Sequence, residues 1–151
     1  MQATCIFRDV EEDAYQTQDH ASYLQSFMLD PNVSWQAHAE ELESMRSAIN
    51  DMEGKIAQLQ AIRDQVAPWQ RSVIDEIAKT SRLIVDNAQD AIITINSSHV
   101  RLDLPPYRNT VNNLFDEAKS VKHDAGEAVE YANVSQEYRT LGHELGARPA
   151  S

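Results

Sequence analysis

Three stretches of the chain repeat apolar residues at three- and four-residue spacing, the period of an amphipathic helix. Prolines separate these stretches, because Pro31, Pro68 and Pro105 are spaced 37 residues apart and another step of the same length leads to Gly142. Proline is excluded from helix interiors, and glycine is favoured just past a helix end. The pattern therefore predicts three long helices of matched length, over about residues 34–66, 68–102 and 106–141.

The first of these predicted helices begins after Ser34, a favoured N-cap residue. From Leu42 to Leu59 its apolar positions follow the heptad spacing of a coiled-coil seam. The full apolar set is Trp35, Leu42, Met45, Ile49, Met52, Ile56, Leu59 and Val66. Bulky Leu, Met and Ile residues predominate in this seam.

The second and third predicted helices carry smaller residues at matching offsets from Pro68 and Pro105. The second seam is Ile74, Ile77, Ser81, Ile84, Ala88, Ala91, Ile95, Ser98 and Leu102, and the third is Tyr107, Val111, Leu114, Ala118, Val121, Ala125, Ala128, Ala132 and Ser135. Because bulky side chains pack well against small ones, we expect the first helix to lie in the groove between the other two.

The two ends of the chain show weaker patterns. Residues 1–30 are expected to form an N-terminal arm or short helix that ends before Asp30 and Pro31, since the residue before proline leaves the helical conformation. One side of it would carry Tyr15, Tyr23, Leu24, Phe27 and Met28. Residues 142–151 are expected to be a flexible tail, so the predicted three-helix domain spans residues 31–141.

The connection at Pro68 allows two interpretations. A hairpin turn there would place the first and second helices side by side, although the segment from Asp64 to Trp69 has no Gly, Asn or Ser to favour a sharp reversal. Alternatively, Pro68 only kinks one rod running from Ser34 to Leu102, about 100 Å long at ~1.5 Å per residue. The hairpin is the preferred interpretation, and the rod would require a partner chain to cover its apolar stripe.

Composition supports an all-α fold and limits the classes of partner. Only four of the 151 residues are glycine, too few turn residues for a β-rich protein. The net charge of −11 disfavours binding to DNA, RNA or an anionic bilayer. Cys5 is the single cysteine, so no intrachain disulfide is expected. No stretch reaches the ~18 apolar residues of a membrane span, and no signal peptide is visible, which leaves the cytoplasm as the default compartment.

Motifs for catalysis or cofactor binding are not found in the sequence. No histidine follows a glutamate by three residues, the helical metal motif of di-iron proteins, and there is no glycine-rich phosphate loop. We therefore predict no catalytic, cofactor-binding or metal-binding residues. One pair of histidines is a candidate exception. His38 and His99, with Glu41 or Asp103, would suit a divalent metal if the hairpin brings them to the same height in the bundle. Packing or capping by these histidines is the expected alternative.

Aromatic residues lie close to each of the prolines. Trp35, Trp69 and Tyr107 are expected to close the two ends of the domain rather than to stack a ligand. In the hairpin arrangement Trp35 should lie near Tyr107, and Trp69 should lie at the opposite end near Tyr138.

The sequence thus predicts an elongated antiparallel three-helix bundle, coiled-coil-like, with an additional short N-terminal helix. The expected function is that of a non-catalytic scaffold or protein-interaction module, acting by self-association or by packing against a partner helix. The residues expected to matter for stability and assembly are Leu42, Ile49, Ile56, Ile77, Ile84, Ile95, Leu114 and Val121. The alternatives are a small-molecule carrier with its ligand between the second and third helices, an amphipathic coat comparable to the phasins of polymer granules, and a metal-dependent enzyme.

Overall fold

Four long helices account for most of the computed structural model, which describes residues 2–97, 102 and 104–147. They are α1 (Gln2–Met28), α2 (Trp35–Ala61), α3 (Pro68–Ser97) and α4 (Pro105–Ala147), with one 3-10 turn at Arg63–Gln65. Every regular element within these residues is helical, so the all-α prediction is confirmed.

Local sequence signals explain where the helices begin. The hydroxyl of Ser34 accepts a hydrogen bond of 3.2 Å from the backbone N–H of Ala37, which makes Ser34 the N-cap of α2. Both α3 and α4 start at a proline, at the position where the missing N–H would have no helical partner. Ahead of α3, the backbone N–H of Ala67 donates to the side chain of Gln70 at 3.1 Å.

The helices pack side by side in chain order, and α4 returns to α1. Contacts between early and late residues show that neighbours run antiparallel: His20 of α1 meets Glu41 of α2, and Asp9 of α1 meets Lys55 of α2. The chain reverses between Ala61 and Pro68, so the hairpin interpretation of Pro68 holds and the kinked rod does not.

The N-terminal third differs from the expected short arm, because α1 is a full 27-residue helix. Half of its eight buried residues are Ala or Thr, which sequence alone does not separate from surface positions. The buried residues are Ala3, Ile6, Phe7, Val10, Ala14, Thr17, Ala21 and Leu24. Of the residues predicted to share one side of this helix, Leu24 is buried, whereas Tyr15 and Tyr23 are exposed. The fold therefore has four packed helices rather than three and an arm.

The position expected for α2 is also wrong. This helix packs against α1 and α3 and lies across the core from α4, rather than in the groove between α3 and α4. The most extensive interhelical contact instead joins α1 to α4. Small buried residues on both helices, such as Ala14 of α1 and Ala125 of α4, let their backbones approach closely.

The core contains most of the residues predicted for the seams of α2, α3 and α4, together with the buried residues of α1. Five members of the predicted seams are only partly buried: Trp35, Val66, Leu102, Ala132 and Ser135. The eight residues expected to stabilise the fold are each 4% exposed or less: Leu42, Ile49, Ile56, Ile77, Ile84, Ile95, Leu114 and Val121. Ser98 of the predicted second seam lies outside the described residues. Because the buried seam residues of the four helices pack against one another, they do not form an accessible surface in the folded protein.

The C-terminal boundaries of the helices differ from the predicted ones. Helix α2 ends at Ala61, while α4 continues through Gly142 to Ala147, so the expected flexible tail is helical that far. The described part of α3 reaches Ser97, and residues 98–101 of its predicted range lie outside the described residues. Glu11 of α1 lies beside Gly126, and Trp69 near the start of α3 contacts Tyr131. The last turns of α4 consequently extend past the other helices, and we call residues 135–147 the overhang.

Candidate functional site

A groove of about 650 Å³ lies between the first turns of α3 and the later part of α4. We call it the α3–α4 groove. It lies beside the start of α3, where apolar side chains of the two helices are left partly uncovered. Its apolar lining consists of Trp69, Val73, Ala128, Tyr131 and Val134. An apolar concavity of this size is within the range of sites that hold ligands or partner side chains.

Two aromatic rings are in contact within this lining. The rings of Trp69 and Tyr131 meet edge to face, with centroids 4.5 Å apart and an interplanar angle of 65°. Trp69 packs against the core, whereas 56% of Tyr131 is exposed. The pair therefore joins the interior to the surface and presents a rigid aromatic face at the groove.

Carboxylates surround the apolar lining. Glu76 of α3 and Asp124, Glu127 and Glu130 of α4 line the groove, and none of the described residues that line it is Lys or Arg. Burial raises the pKa of Asp124 above its ordinary value, and the charges of Glu76 and Glu127 raise it further against the opposing effect of His123. His123 lies 3.3 Å from a carboxylate oxygen of Glu127. The groove thus combines an apolar floor with a negative rim.

The exposed apolar surface continues from the groove onto the overhang. Tyr131, Val134, Tyr138 and Leu141 follow one another at three- and four-residue spacing, so they share one face of α4. Their exposed fractions are 56%, 44%, 74% and 55%. We call these four residues the exposed stripe. The first two line the groove, and the last two lie beyond the other helices.

A second acidic surface lies between α1 and α2 and has a different character. Asp9, Glu12, Asp13 and Asp51 line a shallow depression together with Lys55, whose ammonium lies 3.5 Å from Asp9. Burial, followed by the charges of Asp51 and Asp9, raises the pKa of Asp13 to about 6. No aromatic or large apolar side chain is among the described residues that line this depression.

The structure pairs the residues of the candidate metal site with other partners. Nδ1 of His38 lies 3.0 Å from the hydroxyl of Tyr107, and Glu41 contacts Nδ1 of His20 at 2.6 Å. His99 and Asp103 lie outside the described residues. Within the part of the chain that the structure describes, no group of three or more His, Cys, Asp and Glu is arranged to hold a metal ion.

His38 instead belongs to a buried aromatic contact at the end where α2 and α4 begin. Its ring meets Phe27 and Tyr107 edge to face, with centroid distances of 5.6 and 5.7 Å. Burial lowers the pKa of His38 and raises the pKa of Tyr107. Tyr107 therefore closes this end of the core as expected, with His38 one turn after Trp35 as its hydrogen-bond partner.

At the opposite end the expected aromatic contact involves a different tyrosine. Trp69 meets Tyr131 and not Tyr138, because α4 passes the start of α3 and continues into the overhang. The exposed stripe itself was missed by the sequence analysis. Its spacing was visible, but the core seam was extended through Ala132 and Ser135, which lie one position later on the helix.

The chain matches no protein-family model, and no curated protein or solved structure shows significant similarity to it. Among the described helices, none combines the length and the apolar character needed to cross a membrane.

Proposed function

We propose that this protein is a non-catalytic helical interaction module that binds another helix, from a partner protein or from a second copy, through the exposed stripe of α4. The supporting observation is the exposure of Tyr138 and Leu141 on the overhang, where α1, α2 and α3 do not extend. An apolar helix face at heptad spacing gains stability by packing against another helix. The coiled-coil character expected from the sequence is thereby assigned to the contact with the partner.

Site-specific photo-crosslinking tests this function. A p-benzoylphenylalanine residue replaces Tyr138, and a control replaces Ser120, an exposed residue of α4 at the level of the core. In cells of the organism that makes the protein, the Tyr138 position is expected to yield one discrete adduct, of doubled mass for self-association or of another mass for a partner. Adducts from neither position, or the same adducts from both, would contradict the proposal.

A small-molecule carrier is a second candidate function, favoured by the volume of the α3–α4 groove. The groove measures about 650 Å³ and lies between the two helices to which the alternative carrier function assigned a ligand. Drug-sized ligands occupy sites of roughly 300–1,000 Å³. Native mass spectrometry of the purified protein distinguishes this candidate, because a carrier would retain a bound molecule that a Val73→Trp variant, with a filled groove, would not.

A further inference from the structure

The α3–α4 groove and the exposed stripe form one continuous surface. Tyr131 and Val134 belong to both, and Tyr138 and Leu141 lie one heptad further along the same face. From Asp124 to Leu141 this surface is about 25 Å long at ~1.5 Å per residue. A partner helix of about 18 residues would cover its length.

The aromatic residues place the centre of this surface. Trp69 and Tyr131 lie where the groove passes into the overhang, and their rings contact each other edge to face in the groove lining. Aromatic residues at the centre of an apolar contact commonly supply most of its binding energy. An apolar side chain of the partner that packs against this pair would therefore anchor the helix.

The rim charges determine what flanks the partner's apolar side chains. Glu76, Glu127 and Glu130 are exposed, and Asp124 is half-buried, so four carboxylates face whatever enters the groove. Lysine and arginine side chains that reach these carboxylates would offset their mutual repulsion. A partner with acidic flanks would instead add like charges and bind poorly.

A second copy of this chain does not provide such flanks. The net charge of the chain is −11. Among the described side chains of its own overhang, Glu137 is acidic and Arg139 is basic, and there is no run of consecutive Lys or Arg residues. Two copies would therefore bring acidic rims together at this surface. The charge complementarity favours a partner of the opposite sign.

We propose that the α3–α4 groove and the exposed stripe together dock an amphipathic helix of a partner protein, whose apolar face is flanked by lysine and arginine. This inference rests on the proposed function and specifies the partner's chemistry. The apolar face would pack on Trp69, Tyr131 and Tyr138, and the basic flanks would pair with the rim carboxylates.

A designed peptide provides the probe for a binding experiment with the full chain. The peptide has about 18 residues, with leucines on one helical face and lysines elsewhere. A second peptide carries glutamate in place of each lysine, and a third has the composition of the first in a non-amphipathic order. Titration calorimetry is expected to show saturable 1:1 binding of the first peptide, weakened by salt, and binding about tenfold weaker or more for the other two.

Matched variants locate the binding site. The triple variant Glu76→Gln, Glu127→Gln and Glu130→Gln removes three rim charges, whereas Glu12→Gln, Glu43→Gln and Glu53→Gln removes three exposed charges from α1 and α2. The rim variant is expected to weaken binding about tenfold, and the control variant about twofold or less. Equal losses in the two variants would mean general attraction to an acidic protein and would overturn the inference.

The apolar contribution has its own pair of variants. Tyr138→Ser on the overhang is expected to weaken peptide binding about tenfold, whereas Tyr23→Ser on α1 is expected to leave it unchanged. The two tyrosines are 74% and 52% exposed, so both variants should fold. Unchanged binding in Tyr138→Ser would overturn the inference.

The failure of this inference is distinguishable from failure of the proposed function. If no peptide binds while sedimentation shows a dimer that Tyr138→Ser disrupts, the basic partner is wrong and the interaction function stands. A small molecule retained in the groove of a monomer that binds no peptide would overturn both.

Discussion

Helix α4 contains two regions with the same apolar period and opposite environments. From Tyr107 to Ala128 its seam residues are at most 2% exposed, because α1 and α3 cover them. From Tyr131 to Leu141 the four residues of the exposed stripe are 44% exposed or more. The buried seam would continue through Ala132, one position after Tyr131, so the exposed stripe is turned about 100° around the helix. Burial of an apolar stripe thus depends on which face of the helix it occupies and on how far the neighbouring helices extend, and not on its period alone.

The same substitution in the two regions should produce the largest contrast. Val121→Asp places a carboxylate where the wild-type side chain is fully buried, and is expected to cost about 4 kcal/mol or more. Val134→Asp alters a residue that is 44% exposed and should change stability by about 0.5 kcal/mol or less. Urea unfolding followed by circular dichroism measures both.

The expression level and solubility of each variant should be measured as well, because Val121→Asp should yield a largely unfolded chain. If Val134→Asp unfolds the protein as well, the groove region is part of the cooperative core and the contrast within α4 disappears. Ile84→Asp provides a second core substitution in α3, where the side chain is likewise fully buried.

A single hydroxyl group tests the contrast more finely. Tyr107→Phe removes the oxygen that lies 3.0 Å from Nδ1 of His38 and leaves a buried imidazole nitrogen without that partner. We expect a loss of about 1–2 kcal/mol. Tyr138→Phe removes the hydroxyl of a tyrosine that is 74% exposed, and its free energy of unfolding should equal that of the wild type. Equal effects in the two variants would argue against the His38–Tyr107 hydrogen bond.

The core region should also respond to pH through His38. Burial lowers the pKa of this residue below 6.5, so the unfolded chain takes up a proton at higher pH than the folded chain. The stability that depends on neutral His38 is full above pH 6.5 and is lost as the pH falls towards the folded pKa. Thermal unfolding across this range should show that the melting temperature of the wild type exceeds that of His38→Gln at neutral pH, and that this difference shrinks as the pH falls.

Comparison at each pH cancels the titration of other groups, including Asp13, whose raised pKa acts with the opposite sign. The control is His143→Gln, which removes a histidine from the overhang. A difference between wild type and His38→Gln that stays constant with pH would show that protonation of His38 is not coupled to unfolding.

The sequence was sufficient to predict the seams of α2, α3 and α4. Prolines mark the starts of α3 and α4, and large residues such as Ile77 and Ile84 make the helical period visible. The seam of α1 was not recognised because Ala14, Thr17 and Ala21 are as common on surfaces as in cores. The close approach of α4 and α2 gives these small residues their buried role.

The candidate site was predictable in part. The spacing of Tyr131, Val134, Tyr138 and Leu141 identifies a helical stripe, but its exposure depends on where α1 and α3 begin relative to α4. That alignment is a result of tertiary packing between helices far apart in sequence. The same holds for Glu76 and Asp124, which reach one groove from separate helices.

Two glycines provide the smallest and most direct test of the difference between core and overhang. Gly54 of α2 and Gly142 of the overhang are both exposed, and a methyl group added to either would meet no atom within 4 Å. Alanine is about 0.5–1 kcal/mol more favourable than glycine inside a helix. Gly54→Ala should therefore raise the melting temperature by about 1–4 °C, because α2 unfolds with the core. Gly142→Ala should increase helicity without shifting the main transition, since the overhang can unwind alone. If both variants raise the melting temperature equally, the overhang unfolds together with the core, and its exposed stripe is not an independent segment.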